Sequence, residues 1–542
     1  MITRDKNFQS FPLNLVGSSI FGRYPKIDSE HTFNMFISDN FLVPYAGYAI
    51  AVPSASFIPQ SILGNKVGRG VFTSTKLNKL VVVIDNNVYL VDITYNQPPM
   101  QQFVYSVFFI GQLQTSVGVV YISENNKPQI LISDGASLYL YDPTFSPTFR
   151  VVTIDFVPGY ITFHDTYFIA AAKFDSAGNT NTWRLSAQND GSVWPNASQN
   201  VGTLQTKPDN IQAVVRFPSR GNMIFVMGET VTESWFDTGA QLFPYQRQNQ
   251  YNIDYGCLNP ATVAYMDEIV VWLAANEKSG PIIMYSTGGM PEKITTDGID
   301  YLFSQLQKPE DAQGFLYRQD GHLFYHINFY TDNLSFYYDF NTQKIYQAID
   351  QDLNYFIAAQ VAFINNQYYF ITKNNGNLFA FDTIYTTFED VTPNGTVEIH
   401  EIPRFRTCKN IRLPSQEFRI LNDVGFTIET GETDYHQQVL PGEEVNLLAE
   451  DGTPLLTESG INIIVAINPI VINTTPRVDF SLSYDGGATF GNDFSYILNP
   501  IGQRRNRLMW WQCGIGNDFV CQFKFWGFGR FVVTDGIANV RM

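Results

Sequence analysis

Short apolar runs separated by Asn, Asp and Gly recur along the first two thirds of the chain. The clearest case is LVVVIDNNVYLVD at residues 80–92, where two strand-like runs flank an Asp-Asn-Asn turn. The pattern returns as QILISDGASLYLYD at residues 129–142 and as QYYFITKNNGNLFAFD at residues 367–382. Apolar strands joined by such turns predict β-hairpins.

Looser versions of this hairpin lie between the three clear ones, and successive units are about 45–50 residues apart, the period of four-stranded propeller blades. We therefore predict an all-β fold with a β-propeller of six to eight blades, with seven as the best estimate, over residues 65–391. A row of separate β-sandwiches is the alternative. The recurrent ending Tyr/Phe-x-x-Asp favours blades over that alternative.

The flanking regions lack the blade rhythm. Residues 1–64 are rich in Pro, Gly and Asn and predict an extended N-terminal arm with the first strands. Residues 392–542 predict a C-terminal β-sandwich, with an inserted loop or fin at about 432–476, where Pro, Gly, Glu and Thr surround one apolar run. Helix is scarce, and the best candidate is a short helix over residues 296–306, with Asp297 as its N-cap.

Composition narrows the class of protein. The 542 residues are 44 % hydrophobic and 15 % aromatic, which describes a folded chain with a large interior. The formal net charge is −17, from 34 basic and 51 acidic residues. This balance argues against an outer surface that grips nucleic acid, since Lys and Arg carry phosphate binding. It is compatible with an acidic channel through which DNA slides, although solubility is the simpler explanation.

Cysteine usage and hydropathy indicate a protein made in a reducing cytoplasm. The four cysteines, Cys257, Cys408, Cys513 and Cys521, form no C-x-x-C motif, and we interpret them as buried thiols. A disulfide between Cys513 and Cys521 across a hairpin is the less favoured alternative. No apolar signal region and no stretch of 18 or more apolar residues is visible, so we expect no signal peptide and no membrane span.

One motif invites an enzymatic interpretation. SLSYDGGATFG at residues 481–491 fits the aspartate box of sialidases, S-x-D-x-G-x-T-[WF], through Ser483, Asp485, Gly487, Thr489 and Phe490. Physically the motif is a hairpin turn in which the Asp485 carboxylate and the Thr489 hydroxyl satisfy backbone amides, and Phe490 is a core anchor. A sialidase would also need several boxes, a spread arginine triad and a Tyr/Glu nucleophile pair. The sequence has one box and bunches its arginines, Arg404, Arg406, Arg412 and Arg419, in one segment.

Other candidate sites are weaker still. His322 and His326 are four residues apart, which suggests a metal face on a helix, but HLFYHINF is strand-like and places them about 13 Å apart. Phosphate-loop, zinc-protease and nucleophile-elbow motifs are lacking. We therefore predict no catalytic residues, no metal site and no cofactor.

A basic run beside two tryptophans is the one plausible anionic contact or subunit interface. It comprises Arg504, Arg505, Arg507, Trp510 and Trp511. A solvated turn or a contact between subunits explains it more simply than an anion site does.

Several stretches, in order, resemble the packaged-DNA stabilisation proteins, or tail accessory factors, of short-tailed bacteriophages. They are PLNLVGSS (12–19), RYPKID (23–28), TFNMF (32–36), GRGVF (68–72), RLSAQNDG (184–191), KPDNIQ (207–212), FVMGETVTESWFDTG (225–239), FPYQR (243–247), DYGC (254–257), KITTDGID (293–300), GHLFY (321–325) and SYDGGATF (483–490). The set covers nearly the whole chain. Residues 432–476 and the C-terminus from Phe525 onwards depart from the family's pattern, so the accessory contacts do not carry over.

The resemblance implies structural work in the virion tail. Members of the family form a six-fold ring, the tail hub or nozzle, beneath the portal and its head-to-tail adaptor. They extend the channel for double-stranded DNA without reading its sequence, retain the packaged genome, and carry the tail needle, spikes or fibres used in genome ejection. The alternative function is a carbohydrate-binding or sialidase-like propeller that acts in receptor recognition, and a scaffold that binds host proteins is a third possibility.

Overall fold

The structure is a computed structural model. Its consecutive strands are connected by hairpin turns built on Asn, Asp and Gly. It describes residues 8–22, 30–59, 66–96, 102–217, 220–241, 243–383, 385–391, 397–413, 417–430, 439–446, 464–471, 476–498, 505–527 and 530–541. Asp85, Asp165, Asp267 and Asn366 adopt positive φ angles of 51°, 53°, 52° and 63° at turns between consecutive strands. Asn and Asp tolerate this left-handed region better than other non-glycine residues, so these turns form locally.

The chain divides into two compact units. One consists of Met1–Val16, Ile37–Pro44 and Arg404–Met542, and the other of Gly17–Phe36 and Tyr45–Pro403. The predicted N-terminal arm, residues 1–64, is therefore shared between the units. Its strands are β1 (Phe8–Pro12), β2 (His31–Phe33), β3 (Met35–Ser38), β4 (Phe41–Pro44) and β5 (Gly47–Val52).

The larger unit is a β-propeller of seven antiparallel sheets. Blade one consists of β6 (Gly68–Ser74), β7 (Lys79–Ile84), β8 (Asn87–Asn96) and β9 (Gln102–Gln112). Blade two consists of β10 (Tyr121–Glu124), β11 (Ile130–Ser133), β12 (Leu138–Tyr141) and β13 (Phe149–Val152). Blade three consists of β14 (Phe156–His164), β15 (Tyr167–Asp175), β16 (Thr182–Leu185) and β17 (Val201–Thr203). Blade four is β18 (Ile211–Arg216), β19 (Met223–Gly228), β20 (Thr232–Asp237) and β21 (Tyr245–Ile253).

Three further blades complete the ring. Blade five is β22 (Gly256–Cys257), β23 (Ala264–Met266), β24 (Ile269–Ala275), β25 (Ile282–Ser286) and β26 (Glu292–Lys293); blade six is β27 (Gln313–Gln319), β28 (His322–Phe329), β29 (Leu334–Asp339) and β30 (Lys344–Gln347). Blade seven contains β31 (Ala358–Ile364), β32 (Gln367–Thr372) and β33 (Leu378–Asp382), and its fourth strand is β5 from the N-terminal region. β34 (Thr387–Val391) and β35 (Val397–Glu401) extend this last sheet.

Apolar cores between neighbouring sheets close the ring. One cluster joins the last blade to the first through residues such as Ala380 and Val82, another joins the first to the second, and others continue around the propeller. Between blades six and seven the core is aromatic, with the ring centroids of Tyr317 and Phe381 4.4 Å apart. Each blade thus buries both of its faces, which explains the near-continuous apolar strands in the sequence.

The predicted short helix is α1 (Asp297–Phe303). Its N-cap is Thr296, not Asp297, so the predicted cap is wrong by one residue. Asp297 and Asp300 instead occupy the first turn, where their negative charge favours the helix dipole and both lie near the Lys293 ammonium group.

The smaller unit consists mainly of two sheets in the region where the sequence predicts a β-sandwich. One contains β1, β4, β38 (Arg419–Thr430), β43 (Arg505–Gly516), β45 (Phe531–Val533) and β46 (Ile537–Arg541), and the other β36 (Arg404–Thr407), β37 (Ile411–Arg412), β41 (Arg477–Ser483), β42 (Phe494–Ile497) and β44 (Asp518–Trp526). Phe426 of the first sheet contacts Phe523 of the second, with ring centroids 5.1 Å apart.

The predicted insertion contains an antiparallel ribbon. β39 (Val439–Asn446) pairs with β40 (Ile464–Val471), and the two form a sheet of their own among the described strands. The rest of the 432–476 prediction, residues 432–438, 447–463 and 472–475, lies outside the described residues.

Candidate functional site

The aspartate-box residues form the turn that follows β41 and precedes β42. The Asp485 carboxylate accepts hydrogen bonds from the Ser483 hydroxyl at 2.6 Å, the Thr489 amide at 2.9 Å and the Thr489 hydroxyl at 2.7 Å. These bonds, the one from Ser483 foremost, hold the pKa of Asp485 well below its usual range. Gly487 adopts a φ of +96°, which a residue with a side chain adopts only with strain.

Two details of this turn differ from the prediction or go beyond it. The Thr489 hydroxyl donates to Asp485 and not to a backbone group, so it locks the carboxylate in place. The Ser483 hydroxyl accepts from the Gly487 amide at 2.9 Å and thereby links both ends of the turn. Phe490 is half-buried, and its role as a core anchor stays a prediction.

The described residues of the basic run and the two tryptophans are divided between the two faces of β43. Arg505, Arg507 and Trp511 are exposed, whereas Arg504 lies outside the described residues. Trp510 is buried, and its ring centroid lies 5.1 Å from that of Phe480 in the facing sheet. The Trp510 side chain packs in the core, and a contact surface that includes Arg505, Arg507 and Trp511 stays a prediction.

The four arginines of the C-terminal segment each have partners of their own. Arg406 is buried and donates to the carbonyls of Leu15 and Asn14, and the Arg404 guanidinium lies 5.4 Å from the Phe531 ring centroid. Arg412 and Arg419 are bound to carboxylates in ion pairs with Asp518 and Glu417. Each of the four arginines thus has a structural contact.

The innermost strands of several blades enclose a small cavity, lined by apolar side chains together with tyrosines and Gln360. Side chains of the innermost strands, among them Phe72, Tyr121, Tyr160, Tyr265 and Phe315, line a cavity of about 250 Å³. None of the described lining residues is Asp, Glu, Lys, Arg or His. Burial raises the pKa of Tyr121 and Tyr160, so both phenols stay protonated.

The two histidines of blade six have structural partners. The Nδ1 atom of His322 lies 2.9 Å from an Asp339 carboxylate oxygen, and that of His326 lies 3.2 Å from the Tyr45 hydroxyl. Burial lowers the pKa of His326 to about 3, so its ring is neutral and packs between aromatic side chains. Within the described ranges, no group of three or more His, Cys, Asp or Glu side chains is placed to hold a metal ion.

The four cysteines are free thiols. Burial raises the pKa of Cys513 to about 11 and holds those of Cys257 and Cys521 further above the ordinary value. Cys513 does not pair with Cys521; the Cys521 carbonyl instead accepts a backbone bond from Cys408. In the part of the chain that the structure describes, no helix is long and apolar enough to cross a membrane.

Comparison with known families identifies the propeller. The family model described as bacteriophage P22 Gp10, β-propeller, matches residues 46–385, more than half of the chain. The chain belongs to this family. The match begins just before β5 and ends just after β33, so it spans the seven blades including the strand that closes them. The resemblance to phage DNA-stabilisation proteins and the propeller prediction are thereby confirmed.

Solved structures add no further argument. The chain is similar to a streptogramin B lyase (10 % identity, TM-score 0.38, 59 % of this chain and 95 % of that one) and to an ancestral GH74 enzyme (13 %, 0.39, 66 % and 50 %). It is also similar to the Cps50 (Swd1) propeller domain of Myceliophteria thermophila (9 %, 0.36, 58 % and 96 %). At these scores the similarities say nothing about function. No curated protein matches the chain.

Three of the family-like motifs contain buried charged residues that composition and spacing did not single out. Arg69, in GRGVF, donates to Asp85, Thr115, Val117 and Gly118, and so fastens the connection between the first two blades of this P22 Gp10-type propeller. The second is Arg184, in RLSAQNDG, which forms an ion pair with Asp175 at 3.3 Å, and the third is Glu233, in FVMGETVTESWFDTG.

Glu233 is 2 % exposed and binds a loop at its Oε1 atom. That oxygen accepts from the Gln205 amide at 2.8 Å, the Thr206 amide at 2.6 Å and the Thr206 hydroxyl at 2.7 Å, while Oε2 accepts from the Trp235 indole at 2.9 Å. The strand TESWFD is mixed in polarity, so no pattern in the sequence marked Glu233 as buried. The motif is therefore a structural device that holds the loop between blades three and four.

Proposed function

We propose that this protein forms the tail hub or nozzle ring below the portal and adaptor of a short-tailed phage. In this role it extends the DNA channel, retains the packaged genome and anchors the needle, spikes or fibres used for genome ejection. The observation that carries the proposal is the family match over the complete propeller. A six-fold ring in the virion tail, assembled from subunits made in the host cytoplasm, is the arrangement we infer.

The propeller geometry supports a structural role in such a ring. Seven blades closed by a strand from the N-terminal region make a stiff body whose lateral faces suit contacts between copies. The cavity enclosed by the innermost strands, about 250 Å³ in volume, is far too small to admit a DNA duplex. Duplex DNA therefore passes between copies and not through a propeller.

The acidic balance of the chain fits passage of DNA without capture. A chain with a net charge of −17 repels phosphate, so DNA that moves past it is not held by counterion release. Retention of the genome then depends on closure of the bore and not on affinity for DNA.

The aspartate-box turn gives no support to the sialidase-like alternative. The side-chain polar groups of Ser483, Asp485 and Thr489 are used inside the turn, and Arg404, Arg406, Arg412 and Arg419 are engaged in structural contacts. We therefore infer that the protein works without catalysis.

Virions that lack the protein test the proposal. A phage with a stop codon in this gene should fill its heads, then lose the DNA, and yield particles whose tails lack a ring in electron micrographs. Complementation with the wild-type gene is the control. Particles that keep their DNA and their infectivity without the protein would overturn the proposal. Turnover of sialosides or saturable binding of bacterial polysaccharide by the purified protein would favour the receptor-binding alternative.

A further inference from the structure

The outermost strand of the first blade is an open, uncharged edge. β9 is the last strand of its sheet in the part of the chain that the structure describes, so one row of its backbone N–H and C=O groups has no strand beside it. Its sequence, QFVYSVFFIGQ, runs for 11 residues without Asp, Glu, Lys or Arg. Such an edge is a ready template for pairing with another chain.

Apolar side chains are exposed on both faces of this strand. Val104 and Phe108 point to one face and are 52 % and 50 % exposed; Tyr105 and Phe109 point to the other and are 37 % and 40 % exposed. Exposed apolar side chains on both faces thus flank an edge that has no strand beside it among the described residues, although the Lys79 ammonium group lies 4.7 Å from the Phe108 ring centroid.

The neighbouring blades provide an internal comparison. Their outer strands are protected by charge or by brevity: β13 contains Arg150, β21 contains Arg247, β26 consists of Glu292 and Lys293, and β17 has three residues. β30 contains Lys344 and is also paired with β2, and β35 contains Glu398 and Glu401. Charges and short strands are the ordinary means of preventing edge-to-edge association. The outer strand of blade one, β9, is neither short nor charged.

Charge identifies the partner that fits this edge. Two copies of a chain with a net charge of −17 repel each other, and the repulsion is smallest where neither surface carries charge. The Lys79 ammonium group that lies over the Phe108 ring is paired with the Asp92 carboxylate at 3.2 Å, so it adds no net charge to the strand. A strongly basic partner would gain nothing from such a surface.

The exposed apolar area of β9 is large enough to form the central part of an interface but not a whole interface. A fully covered aromatic side chain buries about 150–250 Å². The four side chains together leave on the order of 300 Å² of apolar surface open, against about 800 Å² per partner in a stable interface. Surrounding surface, such as the exposed Ile58 in the segment that contacts Tyr105 through Ser56, adds to the contact.

We propose that the open edge of β9 is the surface by which one copy of this chain contacts the next. The inference rests on the proposed ring and names the blade that faces the neighbouring copy. In a closed ring the contact is heterologous, so β9 meets a different surface of the neighbour and not its own counterpart.

The test places charge on the edge of β9 and compares its effect on assembly with the effect of a charge placed on another blade. The double variant Val104→Lys/Phe108→Lys adds the protection that β9 lacks, and both side chains are half-exposed, so the fold should survive. The matched control is Val151→Lys on β13, which is 54 % exposed and lies beside Arg150. Sedimentation and mass photometry of purified proteins, with thermal unfolding as a check on folding, report the outcome.

We expect the wild type and Val151→Lys to form the same assembly and the double variant to need at least tenfold higher concentration. Equal assembly of all three proteins would overturn the proposal, as would a wild type that stays monomeric at tens of micromolar. If the double variant does not fold, a photo-crosslinking amino acid at position 108 should give crosslinked pairs that the same probe at position 151 does not. Absence of crosslinks at both positions also overturns it. The virion experiment has a separate readout, so the proposed function can stand while this interface fails.

Discussion

The guanidinium group of Arg69 contacts Thr115 twice, with Nη1 2.6 Å from the carbonyl oxygen and Nη2 2.8 Å from Oγ1. Through these and three other bonds, one side chain of the first strand of blade one holds the connection to blade two. All of its bonds go to uncharged acceptors, so the arginine works as a multiple hydrogen-bond donor.

Arg69→Ala should therefore destabilise the propeller strongly. Loss of five bonds from a buried charged donor leaves backbone carbonyls unpaired, and we expect a cost of about 2–4 kcal/mol in the free energy of unfolding. Urea unfolding monitored by tryptophan fluorescence measures it. Arg150→Ala is the control, because Arg150 lies over the Phe145 ring at the surface and should cost less than about 1 kcal/mol. Equal losses in both variants would contradict the role assigned to Arg69.

Asp142 makes the stability of the fold depend on pH in the acid range. Burial raises the pKa of this carboxyl, but bonds from Thr144 and Gln129 outweigh burial, and the pKa lies below its ordinary value of 3.8. Because the folded pKa is depressed, the contribution to stability is full above about pH 4 and is lost as the pH falls through the folded pKa. Asp142→Asn should cost about 1–2 kcal/mol at pH 7. Its unfolding midpoint should also change less than that of the wild type between pH 5 and pH 3. Parallel pH profiles of the two proteins would refute this assignment.

Glu389 should have the opposite pH dependence. Burial raises the pKa of this carboxyl, although the Ile50 amide donates to it at 2.8 Å. With a raised folded pKa, its favourable contribution is full below the ordinary value of 4.5 and is lost as the pH rises through the folded pKa. Glu389→Gln keeps an acceptor for Ile50 and should equal or exceed the wild type in stability at pH 8. Thermal unfolding from pH 5 to pH 8 checks this, with the exposed Glu398→Gln as the control. A variant less stable than the wild type at pH 8 would show that the charge is useful there.

The aspartate-box turn should affect stability and no reaction. Thr489→Val removes the hydroxyl that locks Asp485 while keeping the shape of the side chain, and Thr489→Ser keeps the hydroxyl. We expect a lower thermal unfolding midpoint for Thr489→Val than for Thr489→Ser. Neither variant should change the response to sialosides, which differential scanning fluorimetry with and without ligand measures. A ligand-induced shift in the wild type that Thr489→Val abolishes would restore the sialidase-like hypothesis.

Local chemistry made most of the propeller predictable. Turns at residues such as Asp85 and Asn366 set the hairpins within a dozen residues, so a single sequence contains the information. The strand that completes blade seven could not be read in this way, because β5 pairs with a strand more than 300 residues further along the chain. The sequence therefore assigned that strand to an arm.

Adjacent aromatic residues show which features of the candidate site could not be predicted from the sequence. Trp510 and Trp511 must point to opposite faces of a strand, but only the register of β43 against β38 decides which one is buried. In β9, Phe108 and Phe109 belong to a run as apolar as any core strand. Its exposure depends on its position at the outside of a blade, which periodicity does not encode.

The pairing of β5 with β33 has a consequence for the synthesis of the protein. At about 5–20 residues per second, roughly a quarter of a minute to a minute separates the emergence of the two strands from the ribosome. The smaller unit waits longer still, since β1 pairs with β46 near the other end of the chain. Each nascent copy must therefore keep β5 and β1 unpaired until their partner strands have been made, so the time needed for translation, and not the intrinsic folding rate of a blade, sets the earliest moment at which a subunit can close.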